Sequence, residues 1–207
     1  MNVNFVATSA YLNIFSGIAL LIYWFAFAIF MPYRELSTTL SILVKNRNWV
    51  WINTLGVIGA TAGLMGQAGI FVFQMESASW VTSAGFYIAT LGTTLLIGTM
   101  LWETVLWPIL VKHQESLLDF QGPIYTSKVF LPFFIVAGLI YSLGYILVGI
   151  GIVQAGELPA TAGILIAIGA PTFGLGSMFG KYQVYPRTAG ITMMSIGLVW
   201  IGFGMLS

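Results

Sequence analysis

Few residues in this 207-residue chain are equipped for chemistry. Beyond nine tyrosines, the ionisable side chains are six Asp and Glu, seven Lys and Arg and one histidine, and there is no cysteine. Without cysteine there is no thiol nucleophile, disulfide, zinc–thiolate site or iron–sulfur ligand set. His113 alone builds neither a bis-histidine haem nor a multi-histidine metal centre within one chain. The serines lack a histidine at matching depth, and no two carboxylates converge in sequence. The glycine runs lack the lysine and the strand–helix context of a phosphate loop. The expectation is no catalytic residue and no metal site, and the chain reads as non-enzymatic.

One carboxylate stands apart. Glu103, in Leu101-Trp102-Glu103-Thr104, falls inside a long apolar stretch. An ionisable group at membrane depth is costly enough to be a candidate functional site in its own right. It precedes Lys112 by a run that would measure about 13 Å along a helix. Flanked by Trp102 and Trp107, it reads either as an interfacial carboxylate paired with Lys45, Lys181 or Arg187, or as a proton-carrying or substrate-binding group. The candidate intramembrane polar site is therefore Glu103 with Gln67 and Thr99. Gln67 and Gln74, with Thr93, Thr94 and Thr99, would line a polar cleft or act as interhelical hydrogen-bond glue. Pro108 frees the carbonyl of Thr104 and is consistent with a kink. Tyr141 and Tyr145, at i and i+4, read as core, and His113 as solvated.

The elements that must position these groups follow from composition. The chain is 58% hydrophobic and 6% charged, with a mean hydropathy of +0.95, where a soluble domain carries about 25% charged residues. That excludes a soluble globular domain, a nucleic-acid binder with a basic face and a disordered chain. Six apolar stretches, at about 12–31, 49–74, 80–111, 129–153, 158–179 and 188–206, are each long enough to cross a hydrocarbon layer of about 30 Å. An unsatisfied peptide group in lipid costs several kcal/mol, so each should be helical. The alternation of a β-barrel strand is missing. The predicted fold is all-α, a polytopic bundle of six transmembrane helices forming one domain over 1–207. The first span has no positive n-region or small-residue cleavage site before it and reads as retained.

Charge placement predicts the orientation. Arg34, Lys45 and Arg47 follow the first span, Lys112 and Lys128 the third, and Lys181 and Arg187 the fifth, while the opposite loops carry Glu76 and Glu157. The positive-inside rule makes the basic side cytoplasmic and places both termini outside. Trp49, Trp51, Trp102 and Trp107 would mark the inner boundary and Trp80 the outer one. Between 32 and 48, Leu36, Leu40, Leu43 and Val44 share a helical face, so this segment reads as a short amphipathic helix on the membrane or as an extension of the first span.

The 24 glycines need a use. Helices in lipid associate through small residues that admit close backbone approach. Gly59 and Gly63 form a G-x-x-x-G pair, Gly85 and Gly92 recur at heptad spacing, and Gly176 and Gly180 lie in the fifth span. Their expected role is contact inside one bundle, the alternative being an oligomer or partner interface. Thr61-Ala62-Gly63, Thr161-Ala162-Gly163 and Thr188-Ala189-Gly190 repeat a tripeptide, which composition alone or an old duplication would produce.

Leu91-Gly92, Trp102-Glu103 and Pro108 in the third span, with Leu143-Gly144-Tyr145 through Gly149-Ile150 to Ala155-Gly156-Glu157-Leu158-Pro159, carry a resemblance. On these residues the chain resembles uncharacterised six-helix bacterial integral membrane proteins, in which a glutamate and a proline close the third helix and an Ala-Gly-x-Leu-Pro turn opens the fifth. The resemblance implies a fold and a plasma (inner) membrane of a bacterium or archaeon, and no activity. The leading functional expectation is an accessory or structural subunit, associating with itself or with other membrane subunits in the lipid bilayer and without nucleic acid. The alternatives are a small transporter or channel centred on Glu103, and a protein that binds lipid or a hydrophobic cofactor between its helices. No particular cofactor is implied.

Overall fold

A computed structural model describes residues 3–31, 40–119 and 121–207, and for residues 3, 180 and 181 the backbone alone. It is all-α. The helices are α1 (Val3–Phe30), the short α2 (Ser41–Val44), α3 (Trp49–Phe73), α4 (Trp80–His113), α5 (Phe130–Ala155), α6 (Ala160–Leu175) and α7 (Val184–Leu206), with 3-10 turns at Glu115–Leu118 and Gly176–Tyr182. Six of them are long and apolar enough to cross a membrane. The chain thus has the helical content of a multi-pass membrane protein.

Two boundaries depart from expectation. The first helix starts at Val3 instead of residue 12, because Phe5, Val6, Ala7 and Ala10 extend the apolar run and Ala10 packs into the core. The fifth span is α-helical only to Leu175. Gly174 and Gly176 on either side of that residue supply little helix propensity, and the chain tightens into a 3-10 turn. The expected amphipathic helix between 32 and 48 is described only as α2. Its Arg34 and Leu36 lie outside the described residues, and its Leu43 and Val44 are buried in the protein and do not face lipid.

The six long helices pack in chain order, α1 on α3, α3 on α4, α4 on α5, α5 on α6 and α6 on α7, and α7 returns to α1. The result is a closed ring of antiparallel neighbours. Glycine sets the seams. An added Cβ on Gly85 would meet the Val148 backbone, on Gly92 that of Tyr141, and on Gly144 that of Ala89, all along α4–α5. Along α1–α3, the glycine stripe of α3 faces one side of α1: Gly59 lies against the apolar Ala19 and Leu20, and Gly63 and Gly66 against the polar Ser16 and Asn13. Ser16 Oγ donates to the Gly59 carbonyl at 2.8 Å and Asn13 Nδ2 to that of Gly66 at 3.1 Å. Close backbone approach and interhelical hydrogen bonds of this kind are what associate helices in lipid, where the hydrophobic effect between them is absent.

Local stop and start signals agree with the connections. Ser79 and Thr82 form a reciprocal capping box at the start of α4, satisfying two orphan donors. Gly156, at φ 71°, caps α5 in the left-handed region, which glycine occupies without a Cβ penalty, and Pro159 then opens α6. At the opposite end, α2 is clasped to the 3-10 turn after α4. Leu40 N–H donates to the Leu118 carbonyl at 3.2 Å, Ser41 Oγ donates to Glu115 at 2.6 Å, and Lys45 pairs with the same carboxylate.

The clasp has a predicted pH response. Hydrogen bonds from Lys45 and then Ser41 hold the Glu115 carboxyl below its ordinary value. A carboxylate whose folded pKa is depressed contributes stability above its unfolded pKa and loses it as pH falls through the folded one. Amide exchange of 40–45 and 115–118, corrected for intrinsic rates, should therefore speed up between about pH 5 and pH 3, close to the ordinary Glu pKa. Glu115→Gln should exchange fast at both values; a step retained in that variant would dissociate the clasp from Glu115.

Candidate functional site

The α1–α3, α4–α5 and α6–α7 connections bring the basic residues to one end of the ring. There Lys45, Arg47, Lys112 and Lys128 are exposed. Arg187 is different. Its guanidinium lies 4.3 Å over the ring of Trp24 and 4.8 Å over that of Phe173. Its Nε is buried without a partner, and Nη1 reaches Gln183 Oε1 only at 3.5 Å. Room for the aliphatic stem comes from Gly176, where an added Cβ would stand 2.5 Å from Arg187 Cγ. Trp24 is held in turn by its indole N–H, which donates to Thr188 Oγ1 at 2.7 Å.

Arg187 and Glu103 line one cavity of about 390 Å³, within the size range of small-ligand sites. Phe27 of α1, Trp49 of α3, Trp107 of α4 and Phe130 and Phe134 of α5 form aromatic walls, Leu40 and Leu43 beneath the clasp form a floor, and Tyr125, Ser177 and Gln183 complete it. Trp49 and Trp107 are buried and stacked, with centroids 6.0 Å apart, so these two turn into the bundle. Trp49 also fixes α4, its indole donating to the Glu103 carbonyl at 2.8 Å. Burial pushes the Tyr125 phenol above its ordinary range, and the Glu103 carboxylate adds to the shift.

Glu103 is short of partners. Among the described residues its carboxylate accepts no hydrogen bond, and the one ion pair within 4 Å is that of Lys45 with Glu115. Lys45, one expected partner of Glu103, is thereby committed elsewhere, Arg187 faces the same cavity without closing a pair, and the side chain of Lys181 lies outside the described residues. The rim is exposed and apolar: Leu131 and Ile135 on α5, and Met178 after α6. The lining thus continues onto the exposed apolar surface of α5 and of the turn after α6.

Gln67 and Thr99 do not line it. Gln67 is buried, donates to the Phe86 carbonyl at 3.2 Å, and borders a space of only about 10 Å³ with Gln74 and Thr82. Thr99 donates to the carbonyl of Leu96 within its own helix. Tyr141 and Tyr145 lie on the ring axis, where Tyr141 donates to Met194 Sδ and Thr93 to Tyr145. The space beside them is about 20 Å³, room for about one water, so the axis is packed closed. Gly59, Gly63, Gly85, Gly92 and Gly176 all meet atoms of the same chain, and Gly180 lies where only the backbone is described. No group of three or more His, Cys, Asp or Glu suited to a metal occurs among the described residues.

The sequence offers Arg187 as a cytoplasmic-face cation and as one of three possible partners of Glu103, and it gives no direct sign of the Trp24 and Phe173 rings that hold its guanidinium or of the roles of Asn13 and Ser16. The available signal was the spacing Ser9, Asn13, Ser16, a small polar stripe on one helical face matching the glycines of α3. The fold and site together define an all-helical protein with six membrane-crossing candidates and one charged cavity. Comparison with protein-family models, curated proteins and solved structures finds no match.

Proposed function

We propose that this is a non-enzymatic multi-pass membrane protein that binds a lipid or another amphipathic small molecule in the cavity of Glu103 and Arg187. The observation that carries the reading is a pair of opposite charges lining an aromatic cavity without pairing to each other, behind an apolar rim. Two unpaired charges at membrane depth are expensive, and a bound polar group would offset that cost while its apolar part leaves through the rim. With the basic loops cytoplasmic, as the positive-inside rule predicts, the cavity belongs to the inner leaflet of a bacterial or archaeal plasma membrane. The glycine faces that motivated a subunit interface are used inside the ring and lend that reading no support. The packed axis gives none to an open channel.

Gentle extraction and native mass spectrometry test the proposal. Wild type should retain one amphipathic species per chain. Ser177→Trp, which fills the cavity from its wall, should lose it while melting like delipidated wild type. A naked wild-type chain, or equal occupancy in the filled variant, would refute the reading.

A further inference from the structure

Resting on that proposal, we infer that the cavity recognises a zwitterionic amine–phosphate group, of the kind carried by an ethanolamine phospholipid. The inference comes from the sign, spacing and surroundings of its two charges. Arg187 presents a guanidinium with an unpartnered buried Nε and a single long bond to Gln183. A planar donor fork of this type matches phosphate oxygens, and the rings of Trp24 and Phe173 hold it in place. Across the same cavity Glu103 lies with Trp49, Trp107 and Tyr125. A carboxylate beside aromatic faces is a site for an ammonium, attracted by both the charge and the ring quadrupoles.

Ligands of other charge fit less well. A simple anion satisfies Arg187 and is repelled by Glu103; a simple cation meets the reverse. A neutral ligand leaves both charges unpaired among apolar walls, the arrangement in which burial costs most. A group carrying both signs satisfies both ends. The volume of about 390 Å³ lies at the lower end of small-ligand sites. It suits a headgroup, with acyl chains passing the exposed rim of Leu131, Ile135 and Met178. The exposed apolar rim favours delivery from the bilayer, although a soluble phosphoamine carries the same chemistry.

The test uses the full chain, stripped of lipid in a non-ionic detergent and titrated with dioleoylphosphatidylethanolamine, dioleoylphosphatidylglycerol, dioleoylglycerol or soluble O-phosphoethanolamine, with bound ligand counted by native mass spectrometry. Wild type should bind the ethanolamine lipid at one per chain, about tenfold or more tighter than the glycerol lipid, the loss expected for one charge-assisted contact. Glu103→Gln should erase that preference by weakening only the ethanolamine lipid. Arg187→Gln should weaken both phospholipids and bring dioleoylphosphatidylglycerol down to the level of dioleoylglycerol or below. Glu103→Gln is nearly isosteric and sacrifices no hydrogen bond, so it decides the matter even where Arg187→Gln does not fold.

Displacement of the ethanolamine lipid by O-phosphoethanolamine supports the inference with the headgroup sufficient. A retained preference without displacement supports it with the lipid as the source. Equal binding of all three lipids overturns the inference and leaves amphipath binding standing. Saturable binding of none overturns both.

Discussion

Replacing Gly92 or Gly144 by alanine should cost about 3 kcal/mol of stability, the upper end of the range for overpacking a well-filled interior. The reason lies in what the new methyl would strike. On Gly92 it would stand 2.4 Å from Tyr141 Cα and 2.5 Å from its nitrogen; on Gly144, 2.3 Å from the nitrogen of Ala89. These are backbone atoms, and they retreat only if the whole helix does. Because α4 and α5 share one long seam, separating them at Gly92 also loosens Gly85 against Val148 and Gly144 against Ala89. Gly98 and Gly138 provide the internal control, since nothing lies within 4 Å of an added Cβ at either. Alanine there should be neutral or gain up to about 1 kcal/mol from helix propensity. Thermal unfolding followed by size-exclusion in one detergent measures all four. A Gly92→Ala protein melting with wild type would mean that α4 and α5 do not meet as described.

The same seams explain which parts of this protein are legible in its sequence. Hydropathy is a sum over single residues, and helical closure in lipid is obligatory, so the spans and their all-α character emerge without any knowledge of packing. Glu103 emerges for the same reason, as a carboxylate inside an apolar run. What a side chain faces is a property of two or three helices at once. Arg187 lies at the start of α7 beside a basic loop, where a headgroup-facing cation would also lie. Only Trp24 from α1, Phe173 from α6 and the space left by Gly176 make it a cavity residue. Gln67 and Thr99 failed to meet Glu103 for a related reason. Gln67 packs at Phe86, about 25 Å along α4 from Glu103 at 1.5 Å per residue, a separation that the pairing of α3 with α4 imposes and that polarity alone does not disclose.

Closing the ring matters for the cavity as well. Its walls come from α1, α3, α4 and α5 and from the segment around Arg187, so no half of the chain builds it alone. The α1–α7 contact that completes the ring places Trp24 beside Thr188 and Phe173, and thereby fixes the cation. The clasp of 40–45 on 115–118 supplies the floor. Loops that would otherwise be mere connections are thus tied to the site, while the opposite end of the ring has only short turns.

Glu103→Gln should make the empty protein more stable and the ligand-binding protein less responsive. The carboxylate is a charge within a membrane-crossing helix, and its oxygens accept no hydrogen bond from the described residues. Placing a charge at the centre of a membrane helix costs about 2.5–3.5 kcal/mol on insertion scales. Nearer the helix end, and with Arg187 across the cavity, the expected gain on neutralisation is about 1–2 kcal/mol, the remainder being screened or compensated. The amide keeps the shape of the side chain, so packing against Trp49 and Trp107 is retained. A residue held for structure gives the opposite result, because losing its charge would strand the partner that the charge had satisfied. The decisive measurement is the melting temperature of both proteins, delipidated and then saturated with ethanolamine lipid. Wild type should start lower and rise more, in proportion to its tighter binding; Glu103→Gln should start higher and rise little. A glutamine variant that melts lower when empty would assign Glu103 to the architecture of the bundle and not to its ligand. The expected crossing identifies a residue whose cost in the empty protein is recovered on binding, as functional sites commonly trade stability for activity.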